Sequence, residues 1–296
     1  MTARIIKGAE VAAEIRTELK ARLARLLEKG KTPFLCVVLV GEDPGSVSYV
    51  AAKEKGSAEV GVKEKTFRLP ASTPESEVMS LVDDLNKAPE VDGILVQSPL
   101  PRQIDAEKVL FYISPEKDAD GWHPVNLGKL MRGEPCPLPC TPHGIQQMLV
   151  RSGYDPAGKH VVICGRSNIV GRPLANLLMQ KKPGANATVT VVHTGSKDIP
   201  GYTRQADILV AAMGSPMFIK ADMVKPGAVV IDVGSNRVED KSAEKGWRWA
   251  GDVDFEAVKE KAAAITPVPG GVGPMTVTML LQNTIEAAER KAGLLK

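Results

Sequence analysis

The stretch from Lys159 to Pro173 constrains the fold of this chain most, because an apolar strand runs directly into a glycine turn and then a helix start. It reads Lys-His-Val-Val-Ile-Cys-Gly-Arg-Ser-Asn-Ile-Val-Gly-Arg-Pro. Such a turn brings backbone N–H groups close to a ligand, and the positive end of the following helix favours negative charge. The stretch therefore predicts a phosphate-binding turn and, with it, a nucleotide ligand.

The spacing of this turn, Gly165-x-Ser167-x-x-x-Gly171, departs from the usual G-x-G-x-x-G and is a weak signal alone. Its surroundings strengthen it, because residues 161–164 have the pattern of a buried parallel strand, and a helix and a second strand at 188–193 follow. Together they predict one βαβ unit of a Rossmann-like domain.

The end of the second strand indicates which dinucleotide fits. An NAD enzyme places a carboxylate there for the ribose hydroxyl, whereas an NADP enzyme needs positive charge or hydrogen-bond donors. His193 and Thr194 stand at this point, and the next carboxylate is that of Asp198. Arg166 in the turn carries a fixed fork of donors that suits a 2′-phosphate. We therefore predict NADP; the alternative for Arg166 is a solvated turn residue.

Composition places the chain among globular α/β proteins of two domains. It has 296 residues, 43% of them hydrophobic and 25% charged. The net charge of +3 is spread over interleaved residues and only 4% are aromatic, which argues against a nucleic-acid surface. No signal-peptide pattern and no apolar run of about 20 residues stands out, so we expect a cytoplasmic protein without a membrane partner.

The four cysteines give little sign of a metal site. Cys36 and Cys164 lie in apolar strands, where a thiol is usually a small hydrophobic side chain. Cys136 and Cys140 flank the sequence Pro-Leu-Pro, which suggests either a metal or disulfide site or rigid linker packing. We predict the linker and no metal.

Alternating strand and helix patterns predict two α/β halves with parallel sheets. The predicted strands cover 34–40, 65–69, 93–97, 206–212 and 227–234, and the predicted helices include one ending near Gly30, one ending at Val60, and those at 144–152, 170–180 and 275–291. The proline-rich residues 135–142 predict a domain boundary that continues neither element. Residues 237–239 and 247–250 predict a hairpin whose tryptophans pack.

Three segments of the first half carry unusual chemistry: Tyr49-Val-Ala-Ala-Lys53, Val96-Gln97-Ser-Pro-Leu-Pro101 and Lys117-Asp-Ala-Asp-Gly121. Tyr49 and Lys53 share one helix face, an arrangement that also suits a solvated surface pair. These segments, the turn at 165–173 and the string Thr-Pro-Val-Pro-Gly-Gly-Val-Gly-Pro-Met-Thr at 266–276 occur in an order and spacing that resemble the bifunctional methylenetetrahydrofolate dehydrogenase/methenyltetrahydrofolate cyclohydrolase family. The resemblance covers essentially the whole chain, with small departures at Ser98 and Ala58.

This resemblance implies a folate-binding catalytic domain (1–140 and 275–296), to which the C-terminal helix returns, and a Rossmann-like NADP domain (141–274). It also implies a homodimer whose substrates are tetrahydrofolate derivatives bound in the cleft between the domains. The family roles that it carries over make Lys53 the principal catalytic residue, tuned by Gln97, while Tyr49 orients the folate and Asp120 binds the pterin. Asp118 is expected to cap the local loop instead.

The expected contacts fall into two sets. The substrate set is Tyr49, Val96, Gln97, Leu100, Pro101, Asp120, Pro269, Gly270 and Gly271. The cofactor set is Gly165, Arg166, Ser167, Ile169, Val170, Gly171, His193, Thr194, Gly214, Gly234 and Ser235. The glycines at 270–273 permit close backbone approach, although a helix-entry turn explains them too.

The resemblance implies two reactions, oxidation of 5,10-methylenetetrahydrofolate with NADP⁺ and hydrolysis of the methenyl product to 10-formyltetrahydrofolate. Two other functions fit part of this pattern: a monofunctional NADP dehydrogenase and a nucleotide sensor without turnover. The presence of Lys53 and Gln97 argues against the first, because hydride transfer alone needs no proton-transferring lysine. The complete folate-side set argues against the second.

Overall fold

The structure is a computed structural model that describes residues 2–240, 242 and 246–295. The chain divides into two compact units. The six-stranded unit comprises Met1–Ala13 and Thr141–Thr276, and the three-stranded unit comprises Glu14–Cys140 and Val277–Lys296.

Helices and strands alternate along most of the described chain. The helices are α1 (Gly8–Glu28), α2 (Pro44–Val60), α3 (Glu75–Lys87), α4 (Ala106–Tyr112), α5 (Pro124–Arg132), α6 (Cys140–Arg151), α7 (Gly171–Leu178), α8 (Ile199–Thr203), α9 (Phe255–Val258) and α10 (Gly273–Lys291). The strands are β1 (Arg4–Ile5), β2 (Phe34–Val40), β3 (Lys63–Leu69), β4 (Gly93–Val96), β5 (His160–Cys164), β6 (Thr188–Val192), β7 (Ile208–Ala211), β8 (Val229–Asp232), β9 (Asn236–Glu239), β10 (Trp247–Ala250) and β11 (Ala264–Ile265).

The six-stranded sheet has the order β1-β11-β8-β7-β5-β6, and every neighbouring pair is parallel. After the edge strand β1, the chain returns to this sheet at β5, adds β6 at the opposite edge and then β7 on the other side of β5. This reversal of winding is the position at which doubly wound sheets bind ligands. The parallel sheet confirms the predicted Rossmann-like α/β class.

The three-stranded sheet has the order β3-β2-β4, and all of its strands are parallel. Every residue of β2 is buried, as expected for a central strand whose sequence is Phe-Leu-Cys-Val-Val-Leu-Val. On one face of the sheet, alternate β2 residues such as Cys36 and Val38 pack with Val78 and Val82 of α3. The β2 residues that point to the other face of the sheet, including Leu35 and Val37, are buried as well.

Helix α10 closes part of the three-stranded unit through both packing and charge. A Cβ on Gly56 of α2 would lie 3.0 Å from Cγ1 of Val277, a tight contact that would require this side chain to move by a few tenths of an ångström. Arg22 of α1 forms ion pairs with Glu286 and Glu289 of α10. The Glu289 side chain is only 9% exposed, so removal of Arg22 would leave a poorly hydrated carboxylate.

The structure corrects one predicted boundary. Residues 140–142, predicted to lie in a stretch outside any helix, form the first turn of α6, which begins at Cys140. Pro142 is tolerated there because N–H groups in a first helical turn need no partner within the helix. All four cysteines are buried, and Cys136 and Cys140 form no disulfide.

The predicted hairpin is present as β9 and β10, which pair antiparallel. The rings of Trp247 and Trp249 meet edge to face at 5.4 Å, and Arg237 lies over Trp247 at 4.4 Å, consistent with the packing role predicted for the tryptophans. Within the described residues, no helix is both long and apolar enough to cross a membrane.

Candidate active site and nucleotide-binding turn

Lys53 and Gln97 come together in the three-stranded unit. Lys53 lies on α2, and Gln97 is the first residue after β4. Lys53 Nζ donates a hydrogen bond to Gln97 Oε1, while Gln97 Nε2 donates to the carbonyl of Ser98 at 2.6 Å. The two bonds fix the orientation of the Gln97 amide. Lys53 is only 6% exposed, so Tyr49 and Lys53 are not the solvated surface pair that their spacing also allows.

The beginning of α2 determines where Lys53 lies. The carboxylate of Asp43 accepts a hydrogen bond from the N–H of Ser46 at 2.8 Å, and Pro44 occupies the first helical turn. The Ser46 hydroxyl donates to the carbonyl of Ser98 at 3.4 Å. The helix that carries Lys53 is thereby tied to the loop that carries Gln97.

Asp120 lies on a segment that runs beside β4. Asp118 forms a parallel bridge with Ile94 of that strand, and its carboxylate accepts hydrogen bonds from the N–H groups of Gly121 and His123 at 3.0 and 2.7 Å. Asp118 therefore caps the local loop, as expected. Its neighbour Asp120 is only partly buried.

Burial shifts the pKa values of Lys53 and Asp120 in opposite directions. Removal from water lowers the pKa of Lys53, while the nearby charges of Asp120, Cys140 and Glu64 oppose that shift. Removal from water also raises the pKa of Asp120 to about 6, opposed by Lys53 and reinforced by Asp118. The pKa values of a lysine amine and a carboxyl group that interact electrostatically are thus both moved toward neutral pH, which suits proton transfer.

The other predicted folate contacts of this unit lie close by in sequence. Tyr49 is one helical turn before Lys53 and is 46% exposed, leaving its ring available to a ligand. Val96 ends β4, and Leu100 and Pro101 follow in the next loop; all three are partly buried. The structure brings Lys53 and Gln97 into contact, but the role of each residue toward folate stays a prediction.

The turn after β5 depends on two glycines. Gly165 has φ 127°, and a Cβ there would lie 2.1 Å from the carbonyl oxygen of Ala212. A Cβ on Gly171 would lie 2.1 Å from the carbonyl oxygen of Gly165. Both positions therefore exclude any larger residue. The close approach of Gly165 to the end of β7 and of Gly171 to Gly165 explains the two glycines without a ligand.

Two hydrogen bonds organise the rest of this turn. Ser167 Oγ accepts from the N–H groups of Val170 and Gly171 at 3.2 and 3.5 Å, so the serine caps the entry to α7. Arg166 and Ile169 are exposed. The first helical N–H groups expected to bind phosphate are therefore partly satisfied by Ser167 in this structure.

The segment after β6 fixes the imidazole of His193. The N–H of Gly195 donates to His193 Nδ1 at 3.0 Å, and the N–H of His193 donates to Ser196 Oγ at 3.1 Å. Because Nδ1 accepts, a neutral His193 carries its proton on Nε2 and presents a donor there. Thr194 beside it is exposed.

Two buried carboxylates that no sequence pattern predicts shape the remaining loops of the six-stranded unit. Asp252 accepts from the N–H groups of Met213, Gly214 and Ser215 at 2.6 to 2.9 Å. It is fully buried. It therefore sets the backbone at Gly214, one of the predicted cofactor contacts.

The second carboxylate, Asp232, ends β8 and accepts from the N–H groups of Gly234, Asp252 and Val253 at 2.9 to 3.0 Å. A Cβ on Gly234 would lie 2.3 Å from the Asp252 nitrogen, so this predicted cofactor glycine is also required by packing. The neighbouring Ser235 is exposed. The local sequence Gly-Asp-Val-Asp at 251–254 suggests a turn, but it does not indicate which backbone groups a carboxylate there would bind.

The loop after β11 carries Pro269, Gly270 and Gly271 in the six-stranded unit. Pro269 and Gly270 are exposed, and Gly270 has φ 99°. A Cβ on Gly271 would lie 2.5 Å from the Pro267 carbonyl oxygen, so the helix-entry turn and the close approach both require glycine.

The predicted cofactor contacts follow the carboxyl ends of β5, β6, β7 and β8, four neighbouring strands of one parallel sheet. Carboxyl ends of parallel strands meet at one edge, where doubly wound sheets bind nucleotides. Among the residues that the structure describes, no group of three or more His, Cys, Asp or Glu side chains is arranged to hold a metal.

Comparison with known families agrees with this geometry. Residues 6–120 match the tetrahydrofolate dehydrogenase/cyclohydrolase catalytic domain, and residues 139–292 match the NAD(P)-binding domain of the same family. The chain belongs to the tetrahydrofolate dehydrogenase/cyclohydrolase family. Both of its family domains are present, so the predicted family and the predicted enzyme class are confirmed, and the monofunctional alternative is not favoured.

Relatives cover the whole length of this dehydrogenase/cyclohydrolase. "Bifunctional protein FolD" of Dehalococcoides mccartyi strain CBDB1 is 56% identical over 298 residues, with 100% of both chains covered. The crystal structure of the bifunctional FolD enzyme from Campylobacter jejuni is 44% identical with a TM-score of 0.91, covering 98% of this chain and 99% of that one. The FolD structure from Trypanosoma brucei, complexed with NADP and an inhibitor, is 41% identical with a TM-score of 0.92, covering 99% of both.

Proposed function

We propose that this dehydrogenase/cyclohydrolase oxidises 5,10-methylenetetrahydrofolate and hydrolyses the methenyl product to 10-formyltetrahydrofolate, with Lys53 as the proton-transferring group. The role of Lys53 is inferred from one observation: its amine is buried and donates a hydrogen bond to the neutral amide of Gln97. A carboxylate in place of Gln97 would raise the pKa of Lys53, whereas the amide accepts its hydrogen bond without adding charge.

In the hydrolysis, water attacks the methenyl carbon, and Lys53 Nζ is the proposed acceptor of the proton that the water loses. The carbon–nitrogen bond then breaks as the new hydroxyl loses its proton and becomes the formyl carbonyl. The freed ring nitrogen takes up a proton, so that 10-formyltetrahydrofolate forms with the net release of one proton. The lowered pKa of Lys53 increases the fraction of neutral amine that can act as this base. General base catalysis of this kind contributes about 10²- to 10⁴-fold.

Asp120 is proposed to bind the donor edge of the pterin ring, because an ionised carboxylate is acceptor-only. Tyr49 is proposed to pack on the folate with its exposed ring. The residues 14–140 with 277–296 then supply the folate-binding side chains of Lys53, Gln97 and Asp120. Pro269, Gly270 and Gly271 of the six-stranded unit are proposed as further folate contacts.

NADP is the proposed dinucleotide, as in the Trypanosoma brucei structure. When bound, it supplies the hydride acceptor for the oxidation. The residues present fit it: Arg166 is exposed beside a glycine turn, and His193 presents Nε2–H at the end of β6, where an NAD enzyme would need a carboxylate. The exposed Thr194 adds a hydroxyl donor at the same strand end.

The test is a comparison of two lysines on one helix. Lys53→Met should lower cyclohydrolase kcat by at least about 100-fold while leaving the Kd of NADP unchanged, because the proposed nucleotide contacts lie in the other unit. Lys55→Met removes an exposed lysine of the same helix and should leave both values near wild type. Cyclohydrolase activity that survives in Lys53→Met would overturn the role of Lys53.

We further propose a cytoplasmic homodimer without a nucleic-acid partner. The edge position of β3 supports pairing of two copies, because an edge strand leaves one row of backbone donors and acceptors for another chain. Light scattering after size exclusion would measure the mass, for which the dimer predicts about twice the 31.6 kDa of one chain. A monomeric mass at micromolar concentration would contradict the dimer.

A further inference from the structure

Asn283 places one side-chain amide against three groups from two distant segments. It lies on α10 and is 3% exposed. Its Nδ2 donates to the carbonyls of Ala119 and Leu138 at 2.9 and 2.8 Å, and it contacts Cys140 Sγ at 3.6 Å. All of these residues belong to the three-stranded unit. Two good acceptors therefore use both protons of this amide.

The same two segments also bond to each other directly around Asp120. The N–H of Cys140 donates to the carbonyl of Asp120 at 3.2 Å, and Cys140 Sγ donates to the carbonyl of Ala119 at 3.3 Å. A Cβ on Gly121 would lie 2.4 Å from the backbone of Leu138. Residues 119–121 and 138–140 are thus pressed together on both sides of Asp120, and Asn283 bonds to both segments.

We propose that Asn283 is a positioning residue for the folate reactions, because its amide holds the segment of Asp120 against residues 138–140. The inference rests on the proposed role of Asp120 in folate binding. Asn283 itself acts only through the backbone of these segments. Its effect is on where the Asp120 carboxylate lies, and geometric errors of about 1 Å near reacting groups cost about 100-fold in rate.

The chemistry of the site requires an amide at this position. Leucine has nearly the same shape but would remove this donor from the buried carbonyl of Ala119 and the partly buried carbonyl of Leu138. Aspartate would place acceptor oxygens against two carbonyl oxygens. Serine keeps a single short donor and cannot bond to both segments at once.

The first test is steady-state kinetics of Asn283→Leu and Asn283→Ser. Each should lower kcat/KM for the folate substrate by about 5- to 100-fold, the equivalent of one or two lost hydrogen bonds, with the KM for NADP unchanged. Thr284→Val is the matched control, because Thr284 is equally buried but its hydroxyl bonds only to Leu280 of its own helix. Kinetics of Asn283→Ser that match those of Thr284→Val would overturn the proposal.

A double-mutant cycle distinguishes positioning from general destabilisation. If Asn283 acts through Asp120, adding Asn283→Ser to Asp120→Asn should cost less than about threefold, because the group being positioned is already altered. If the losses of kcat/KM in the two single variants multiply in the double variant, Asn283 acts independently of Asp120, and the proposal is refuted. If Asp120→Asn by itself leaves folate kcat/KM unchanged, the proposed role of Asp120 is wrong instead.

The pH profile gives an independent readout. The charged and titratable groups around Asp120 are Lys53 of α2, Asp118 of its own segment and Cys140 of α6, and burial is the largest cause of its raised pKa. Loosening the segment in Asn283→Ser should admit water and lower that pKa, which shifts the acidic limb of the kcat/KM profile to lower pH. An unshifted limb would contradict the positioning role.

Discussion

Replacing Asp252 by asparagine should loosen the loop after β7, because this buried carboxylate holds the backbone of the loop. Four donors converge on the two carboxylate oxygens. The N–H groups of Met213 and Gly214 bond to Oδ2, whereas the N–H of Ser215 and the amide of Asn236 bond to Oδ1. An asparagine side chain has one acceptor oxygen, so its NH₂ group faces two donors in either orientation.

The magnitude follows from this count. Each hydrogen bond to a charged acceptor contributes about 1.5–3 kcal/mol, so losing two costs about 3–6 kcal/mol where the loop cannot relax. Relaxation of the loop lowers the cost, so about 3 kcal/mol is the expected value for local opening. The same loosening should raise the KM for NADP, because Gly214 is one of the proposed cofactor contacts.

Hydrogen exchange of the amides at 213–215 measures this directly. A loss of about 3 kcal/mol in opening free energy accelerates exchange about 100-fold. Asp254→Asn is the matched control, because its side chain forms a 3.1 Å ion pair with the exposed Lys220, an arrangement that contributes about 0–1 kcal/mol. Equal exchange rates in Asp252→Asn and Asp254→Asn would refute the reasoning.

Three further predictions concern the turn, the second carboxylate and the folate side. Arg166→Ala should reduce the preference for NADP over NAD, measured as the ratio of kcat/KM values; an unchanged ratio would mean that Arg166 is only a solvated turn residue. Gly251→Ala should unfold at clearly lower urea concentration than wild type, because the new Cβ would lie 1.8 Å from Asp232 Oδ2; an unchanged midpoint would show that the carboxylate can move. Burial raises the pKa of Asp120 from 3.8 to about 6, so this group contributes stability below about pH 4 that is lost as the pH rises through 6. Between pH 4 and pH 7, the free energy of unfolding of Asp120→Asn should therefore rise by up to about 3 kcal/mol relative to that of wild type. Urea midpoints at both pH values measure this, and a difference between the two proteins that does not change with pH would contradict the pKa shift.

The sequence predicted those parts of the structure that depend on local pattern. Apolar runs bounded by glycine identified β2 and β5, and the alternation of strands with helices predicted parallel sheets. The contact between Lys53 and Gln97 was reached through the family resemblance rather than through spacing, because 44 residues separate them.

The predicted start of α6 is wrong because of the position of one proline in the helix. The prolines at 135–142 predict a stretch outside any helix, yet a proline in the first helical turn loses no hydrogen bond. Cys140 and Pro142 are therefore helical. The error matters for the site, because it placed the Cys140 backbone N–H in a linker, whereas the structure directs it to the carbonyl of Asp120.

The residues that hold the loops in place were not predictable from pattern, because their partners lie far away in sequence. Asp252 bonds to backbone donors 37 to 39 residues earlier, and Asn283 bonds to carbonyls 145 and 164 residues earlier. Neither residue lies in a sequence motif from which its hydrogen-bond partners could be predicted. A short polar side chain in a sequence gives only its donors and acceptors, and which backbone groups it satisfies depends on how the strands are ordered. The strand ends thus indicate which side chains can reach a ligand, while the buried carboxylate and amide determine whether those strand-end loops hold one conformation.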